Sequence, residues 1–196
     1  MSYTNQIKDV TETFNGDLNS YHHLICNCQR CTLSETRKNF VFGFGNPKAK
    51  IIFVGEAPGK QEDLQGVPFV GRSGKLLDKI LSEIYLTRDD IFICNVLKCR
   101  PPKNRDPLPY EIMQCEPYLL NQLQIIKPKL IVALGRIAAC TILKTNESLK
   151  NMRNTIHNYA GVDLLVTYHP AALLRNPNFK KNAWEDFKLI KKEYLD

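Results

Sequence analysis

The chain predicts an α/β fold in three layers, α/β/α, around a central, mainly parallel sheet of four strands. Two patterns carry that expectation. Four short apolar runs alternate with segments of helical periodicity, which is the order of a parallel sheet with crossover helices. The runs are apolar throughout rather than at every second residue, as strands covered on both faces require. Length and composition agree: 196 residues suffice for one domain with a real core, and 43% hydrophobic residues argue against global disorder.

Each element has its own signal. "KAKIIFVGEAPG" is a buried strand, residues 51–54, that ends in a Gly/Pro loop. "GKLLDKILSEIYL" repeats Leu76, Ile80 and Ile84 at helical spacing, with Leu77, Leu81 and Tyr85 beside them. "DIFICNVLK" is the second strand. Pro117 suits the first turn of a helix that "YLLNQLQII" continues. "PKLIVALG" is the third strand and "RIAACTIL" the helix after it. "GVDLLVTYHP" is the fourth, with "NTIHNY" as a short strand before it. The last helix puts Ala183, Phe187, Ile190 and Tyr194 on one face.

Open parallel sheets bind ligands beyond the carboxyl ends of their strands. The loops after the first, second and fourth strands, "GEAPG", "NVLKCRPP" and "HPAALLRNP", are rich in Gly, Pro and polar residues. The loop after the third, "GRIAAC", is plainer. A formal charge of +7 suits an anionic partner, nucleic acid first. No apolar run reaches the roughly 18–20 residues of a membrane span. "MSYTNQIKDVTETF" lacks the basic and apolar regions of a signal peptide. A cytoplasmic, monomeric protein with reduced thiols is expected.

Seven cysteines, an odd count, argue against a disulfide framework. Cys28 and Cys31 form a C-x₂-C step, and Cys99 and Cys115 offer a second pair. Four such thiolates serve structural zinc or an iron–sulfur cluster, and spacing leaves both open. Cys26 is a third candidate in "CNCQRC". Cys94 and Cys140 read as small core residues. In the first loop, Gly55 allows close backbone approach, and Glu56, Glu62 and Asp63 offer carboxylates. Phe69 either presents its ring to a planar ligand or fills the core. The loop is not a P-loop. Asn95 has the donor and acceptor to pair with a base edge, or to cap a turn. His169 is placed to donate to an oxygen gaining charge, or is simply solvated.

The ordered set "CQRCTL", "VFGFGNPKAKIIFVGEAPG", "GVPFVGRSGKLLD", "NVLKCRPPKNRDPLPYEIMQC" and "HPAALLRNP" closely resembles the family 4, iron–sulfur uracil-DNA glycosylases. The match runs from about residue 25 to 195, so 1–24 stand apart as a loosely ordered or helical extension and 25–196 form one domain of that fold. The resemblance implies a repair enzyme that hydrolyses the N-glycosidic bond of uracil in single- or double-stranded DNA. It implies a [4Fe–4S] cluster on Cys28, Cys31, Cys99 and Cys115, with Cys26 a non-ligand. Phe69 stacks on the flipped base, Asn95 reads its edge, and His169 bonds its O2. Gly55, Glu56 and Ala57 shape the pocket. Ala57 stands where other branches carry an Asp or Asn that activates water, so Glu56 or Glu62 is expected to assist instead. Leu173 is the expected wedge into the duplex, and Arg175, Arg100 and Lys103 the expected DNA contacts, with Lys98 and Arg105 adding to a positive loop. The competing readings are a non-catalytic DNA-binding module with a four-cysteine zinc site, and a redox protein.

Overall fold

The computed structural model describes residues 14–195. In chain order these form α1 (Leu18–Ile25), α2 (Leu33–Thr36), β1 (Phe44–Gly45), β2 (Ile51–Gly55), α3 (Lys60–Gln65), α4 (Arg72–Glu83), β3 (Phe92–Asn95), α5 (Pro109–Ile126), β4 (Leu130–Leu134), α6 (Arg136–Leu143), α7 (Leu149–Met152), β5 (His157–Tyr159), β6 (Val162–Thr167), α8 (Pro170–Arg175) and α9 (Lys180–Tyr194). The strands make one sheet in the order β1-β3-β2-β4-β6-β5. Its four central strands are the predicted apolar runs, and all three pairings among them are parallel. The sheet has six strands rather than four because β1 and β5 add antiparallel edges. A two-residue strand such as β1 is held by its partner's backbone and leaves no side-chain pattern to read.

The fully apolar strands divide their side chains between two cores. Ile52, Val54, Phe92, Cys94, Ile131, Ala133, Leu164 and Val166 face α1, α5 and α6. Ile51, Phe53, Ile93, Leu130, Val132 and Leu165 face α4 and α9, where Leu77, Leu81, Phe187 and Ile190 meet them. The three layers follow from this alternation.

Three helices differ from expectation. The α4 helix ends at Glu83, and Tyr85 sits beyond it with φ 62° and 80% of its surface exposed, not on the apolar face. The α5 helix begins eight residues before Pro117, at Pro109. Its first turn is closed by the Glu111 carboxylate, which accepts from the Leu108 N–H at 2.8 Å. Cys115 therefore stands on a helix, not in a loop. The α1 helix runs across residue 24 and buries Leu18, Tyr21 and Ile25 in the first core, its start capped by Asp17, which accepts from Ser20 N–H at 2.7 Å. The rest of the N-terminal extension, residues 1–13, lies outside the described residues. No helix among the described residues is long and apolar enough to cross a membrane.

From β2 the chain places β3 on one side and β4 on the other. That reversal opens a crevice beyond the carboxyl ends of β2 and β4, where ligands bind in such sheets. It brings in the loop after β4, which the sequence made look plain.

Candidate active site and four-cysteine site

Gly55 ends β2 beside Asn95 at the end of β3. A Cβ on Gly55 would run into Asn95 Oδ1 and come within 2.8 Å of Phe69 Cζ. Glycine at this point is what lets the amide, the ring and the strand end meet. Asn95 is buried, and the Phe69 ring, also buried, lies 5.4 Å from the His169 ring at 33°. Gly135, after β4, has φ 91°, and a Cβ there would sit 2.9 Å from His169 Cβ. So Gly135 sets the approach of His169, a role that nothing in "GRIAAC" points to. Gly55, Phe69, Asn95 and His169 thus form one constellation from loops distant in sequence. Of the four, His169 also lines an adjoining groove of about 950 Å³, together with Glu56, Ala57, Arg136 and Arg175 among others.

His169 accepts the Ala171 N–H at its Nδ1, 3.1 Å away. This fixes the neutral tautomer with hydrogen on Nε2, leaving Nε2–H as the donor for a ligand. Burial, helped by the charge of Arg175, pulls the imidazole down to about 4. The ring is therefore uncharged near neutrality. Glu56 moves the other way: burial, then the negative charge of Asp106, pushes its carboxyl up to about 7, against Arg136.

Glu62 has a different task from the one expected. It lies on α3, and its Oε1 accepts the backbone N–H groups of Val70 at 3.0 Å and Gly71 at 2.9 Å. That carboxylate anchors the loop holding Phe69, whose φ is 54°. Arg88 holds the same loop from the other side, donating to the carbonyls of Pro68, at 3.1 Å, and Phe69, while pairing with Asp78. Nothing in the sequence marked Arg88. Asp63 is likewise structural, accepting from the Lys38 and Asn39 N–H groups.

Three of the residues expected to face DNA change. Leu173 is 1% exposed, while Leu174 is 40% exposed. One residue on a helix turns a side chain by about 100°, so Leu173 packs inside rather than standing out as the expected wedge, and Leu174 is the exposed leucine of this turn. Lys98 has no exposed surface and belongs to the interior. Arg105 is bound twice by Glu111, at 2.9 and 2.6 Å, and is not free for phosphate. Lys103 and Arg175 stay exposed; Arg100 is partly buried and donates to Asn104 Oδ1 at 2.7 Å.

Cys28, Cys31, Cys99 and Cys115 line one small cavity with Arg30, Arg37 and Tyr118. Their sulfurs attract donors: Tyr118 O–H to Cys28 at 2.9 Å, Arg37 Nη1 to Cys99 at 3.3 Å and the Lys98 N–H to Cys115 at 3.3 Å. Arg30 Nη1 is buried there without a partner among the described residues. An orphaned cationic donor beside sulfurs already collecting hydrogen bonds fits an anionic sulfur-rich group. Among the described residues, no three His, Cys, Asp or Glu side chains converge on a point that would hold one metal ion. Four thiols around one cavity are a donor set that either an iron–sulfur cluster or zinc would use. Cys26 bonds instead to the His23 carbonyl, and Cys94 is in the core.

Residues 42–188 match the family model of the Uracil DNA glycosylase superfamily. The chain is 48% identical over 173 residues to a Type-4 uracil-DNA glycosylase of Saccharolobus solfataricus, covering 84% of this chain and 80% of that protein. It is 45% identical over 174 residues to that of Archaeoglobus fulgidus, covering 85% and 87%. Against that of Pyrobaculum aerophilum it is 44% identical over 182 residues, covering 89% and 93%. With the crevice at the sheet's switch point and the Gly55, Phe69, Asn95 and His169 constellation in place, these matches establish that the chain belongs to the uracil-DNA glycosylase superfamily.

Proposed function

We propose that this chain is a DNA-repair glycosylase that rotates uracil out of the strand, hydrolyses the bond between C1′ and N1, and leaves free uracil and an abasic site. The observation that carries the reading is the neutral His169 in one constellation with Phe69 and Asn95. Phe69 offers a ring face to the extruded base, and the Asn95 amide matches the donor and acceptor of the uracil edge. Cytosine presents the reverse pattern and leaves buried groups unpaired, which is worth orders of magnitude in selectivity. The C5 methyl of thymine meets the wall of Glu56, Ala57 and Phe69.

Rotation costs a few kcal/mol of stacking. Leu174, exposed on α8 between the groove residues Ala172 and Arg175, fills the gap, and Arg175, Arg100 and Lys103 contact phosphate. Leu174→Ala is expected to lower kcat/KM about tenfold on U·A pairs and less on single strands, where no stack opposes extrusion. Equal losses on both would take the wedge role from Leu174.

As the glycosidic bond breaks, its electron pair stays with uracil and negative charge grows on O2. His169 Nε2–H stabilises that charge without transferring a proton. Water adds to C1′ and gives up a proton, which ionised Glu56 is placed to accept. With Glu56 near 7 and His169 near 4, kcat/KM should fall as pH drops through about 7 and show no second limb at the usual histidine range. Glu56→Gln should remove that limb; its persistence would reassign the group. The same shift costs stability as pH rises from 4.5 through about 7, because ionisation of Glu56 is disfavoured in the fold.

Cys28 and Cys31 from the α1–α2 turn, Cys99 after β3 and Cys115 on α5 would hold a [4Fe–4S] cluster, which would tie these segments together. Iron and acid-labile sulfide in equal amounts in the brown purified protein would bear this out; stoichiometric zinc in a colourless, inactive protein would favour the DNA-binding module. The reading predicts uracil release from U·G, U·A and single-stranded substrates by a cytoplasmic monomer. Release from none of the three substrates would overturn the assignment.

A further inference from the structure

Lysine is among the side chains least often buried, yet Lys98 is fully enclosed. Its Nζ donates to the backbone carbonyl of Asn95 at 2.7 Å and to Gln122 Oε1 at 2.6 Å. Gln122 is held in turn by its own bond to the Phe42 carbonyl, 2.9 Å. Both acceptors of the ammonium are neutral. No Asp or Glu among the described residues forms an ion pair with it. A buried cation needs a counter-charge or it is strongly destabilising.

Among the described residues, the neighbours able to carry negative charge are thiols, Cys94 beside the ammonium and Cys115 beside the backbone. The Lys98 backbone N–H donates to Cys115 Sγ at 3.3 Å, and Cys99 is the next residue. The opposite end of the side chain holds Asn95, whose amide stands in the base pocket beside Gly55. One residue therefore touches both sites.

We propose that Lys98 is a positioning residue that couples the four-cysteine site to base recognition. Its ammonium is the counter-charge to the anionic metal–thiolate group, and through the Asn95 carbonyl it fixes the strand end that presents the base-reading amide. This rests on the glycosylase reading and on a cluster at Cys28, Cys31, Cys99 and Cys115. A neutral side chain could bond the same carbonyl but could not balance the cluster. Gln122 completes the device by keeping the ammonium aimed at Asn95.

The test compares wild type, Lys98→Met and Gln122→Met as iron-loaded proteins, with circular dichroism to confirm the fold. Lys98→Met is expected to move the cluster's reduction potential to more negative values, since a nearby positive charge favours the reduced form. It is also expected to lower kcat/KM for uracil release at least tenfold, as losses of outer-sphere partners do, with affinity for undamaged duplex unchanged. Gln122→Met leaves the charge in place, so it should lower kcat/KM with little change in potential. If Lys98→Met does not fold, wild-type kcat/KM in Gln122→Met overturns the proposal. A wild-type potential in folded Lys98→Met overturns the counter-charge role, even where activity falls, because packing damage alone would slow catalysis. A shifted potential with wild-type kcat/KM overturns the link to Asn95. Wild type without iron or without uracil release would instead sink the functional reading itself.

Discussion

His169→Ala is expected to slow uracil release by about 10²–10³-fold, equivalent to roughly 3–4 kcal/mol of transition-state stabilisation. The reason is the timing of the charge. Uracil O2 is a weak acceptor in the bound substrate and a strong one as the glycosidic bond breaks. The interaction therefore grows along the reaction, and its loss falls on kcat rather than on KM. The neutral state of the ring matters to the argument. With its pKa near 4, the imidazole arrives uncharged at pH 7 and carries no cost of holding a second cation beside Arg175. The Ala171 N–H occupies Nδ1, so the donor cannot be lost by a change of tautomer without breaking that bond. Single-turnover release from a uracil-containing oligonucleotide gives the chemical step directly. A defect confined to KM would mean that His169 binds substrate and does little for the transition state.

Asp186→Ala carries the largest expected cost in stability. Asp186 and Arg153 are both buried, each 6% exposed. Asp186 accepts from Arg153 Nε at 2.8 Å, from Arg153 Nη2 at 2.7 Å and from Thr167 Oγ1 at 2.6 Å. Arg153 also donates to the Asn182 carbonyl at 2.7 Å and lies 4.8 Å over the Tyr168 ring. Truncating the carboxylate strands the guanidinium and frees the end of β6. Breaking a buried pair from one side costs about 3–5 kcal/mol. The double change Asp186→Leu with Arg153→Met should recover most of that loss, because an apolar pair removes both charges. Denaturant unfolding with a constant slope checks the first value and the recovery. Thr167 precedes Tyr168 and His169, so the folded fraction of Asp186→Ala should also show a reduced kcat. A loss under 1 kcal/mol would show that water reaches the Arg153 charge.

The parallel core of the sheet was legible because strands buried on both faces must be apolar at every position. The pocket loops were legible because Gly, Pro, Asn and His collect beyond the carboxyl ends of those strands. What escaped depends on relations between distant parts. The strand order decides that the loop after β4 borders the crevice, so Gly135 and Arg136 could not be picked from "GRIAAC" alone. The anchoring of Phe69 by Glu62 and Arg88 joins α3, a tight loop and the turn after α4, and nothing local shows that one oxygen of Glu62 holds the Val70 and Gly71 N–H groups. Leu173 and Leu174 differ by one helical step, which no local pattern resolves. Lys98 reads as solvated because lysine nearly always is. Pro117 reads as a helix start because proline suits a first turn, whereas here the helix begins at Pro109 and carries Cys115 on its second turn.

These corrections move the basic residues around the cysteines. Arg30 and Arg37 line the cysteine cavity and the Lys98 N–H reaches Cys115, while Arg105 is held by Glu111 and Lys103 stays exposed. Under the proposed function, charge balance at the cysteines and phosphate contact fall to different side chains, and Phe69 and Asn95 would act on a base from loops anchored to the sheet.

The most direct measurement of the central claim is release of free uracil from a duplex with a single U·G pair, by iron-loaded wild type and by Asn95→Ala, with affinity for the undamaged duplex measured alongside. The account predicts stoichiometric uracil and an abasic site from wild type. It predicts release at least 10²-fold slower from Asn95→Ala, since a buried edge-reading partner is lost, with duplex affinity unchanged. No uracil from wild type, together with equal duplex binding by both proteins, would contradict the account and leave a DNA-binding module in its place.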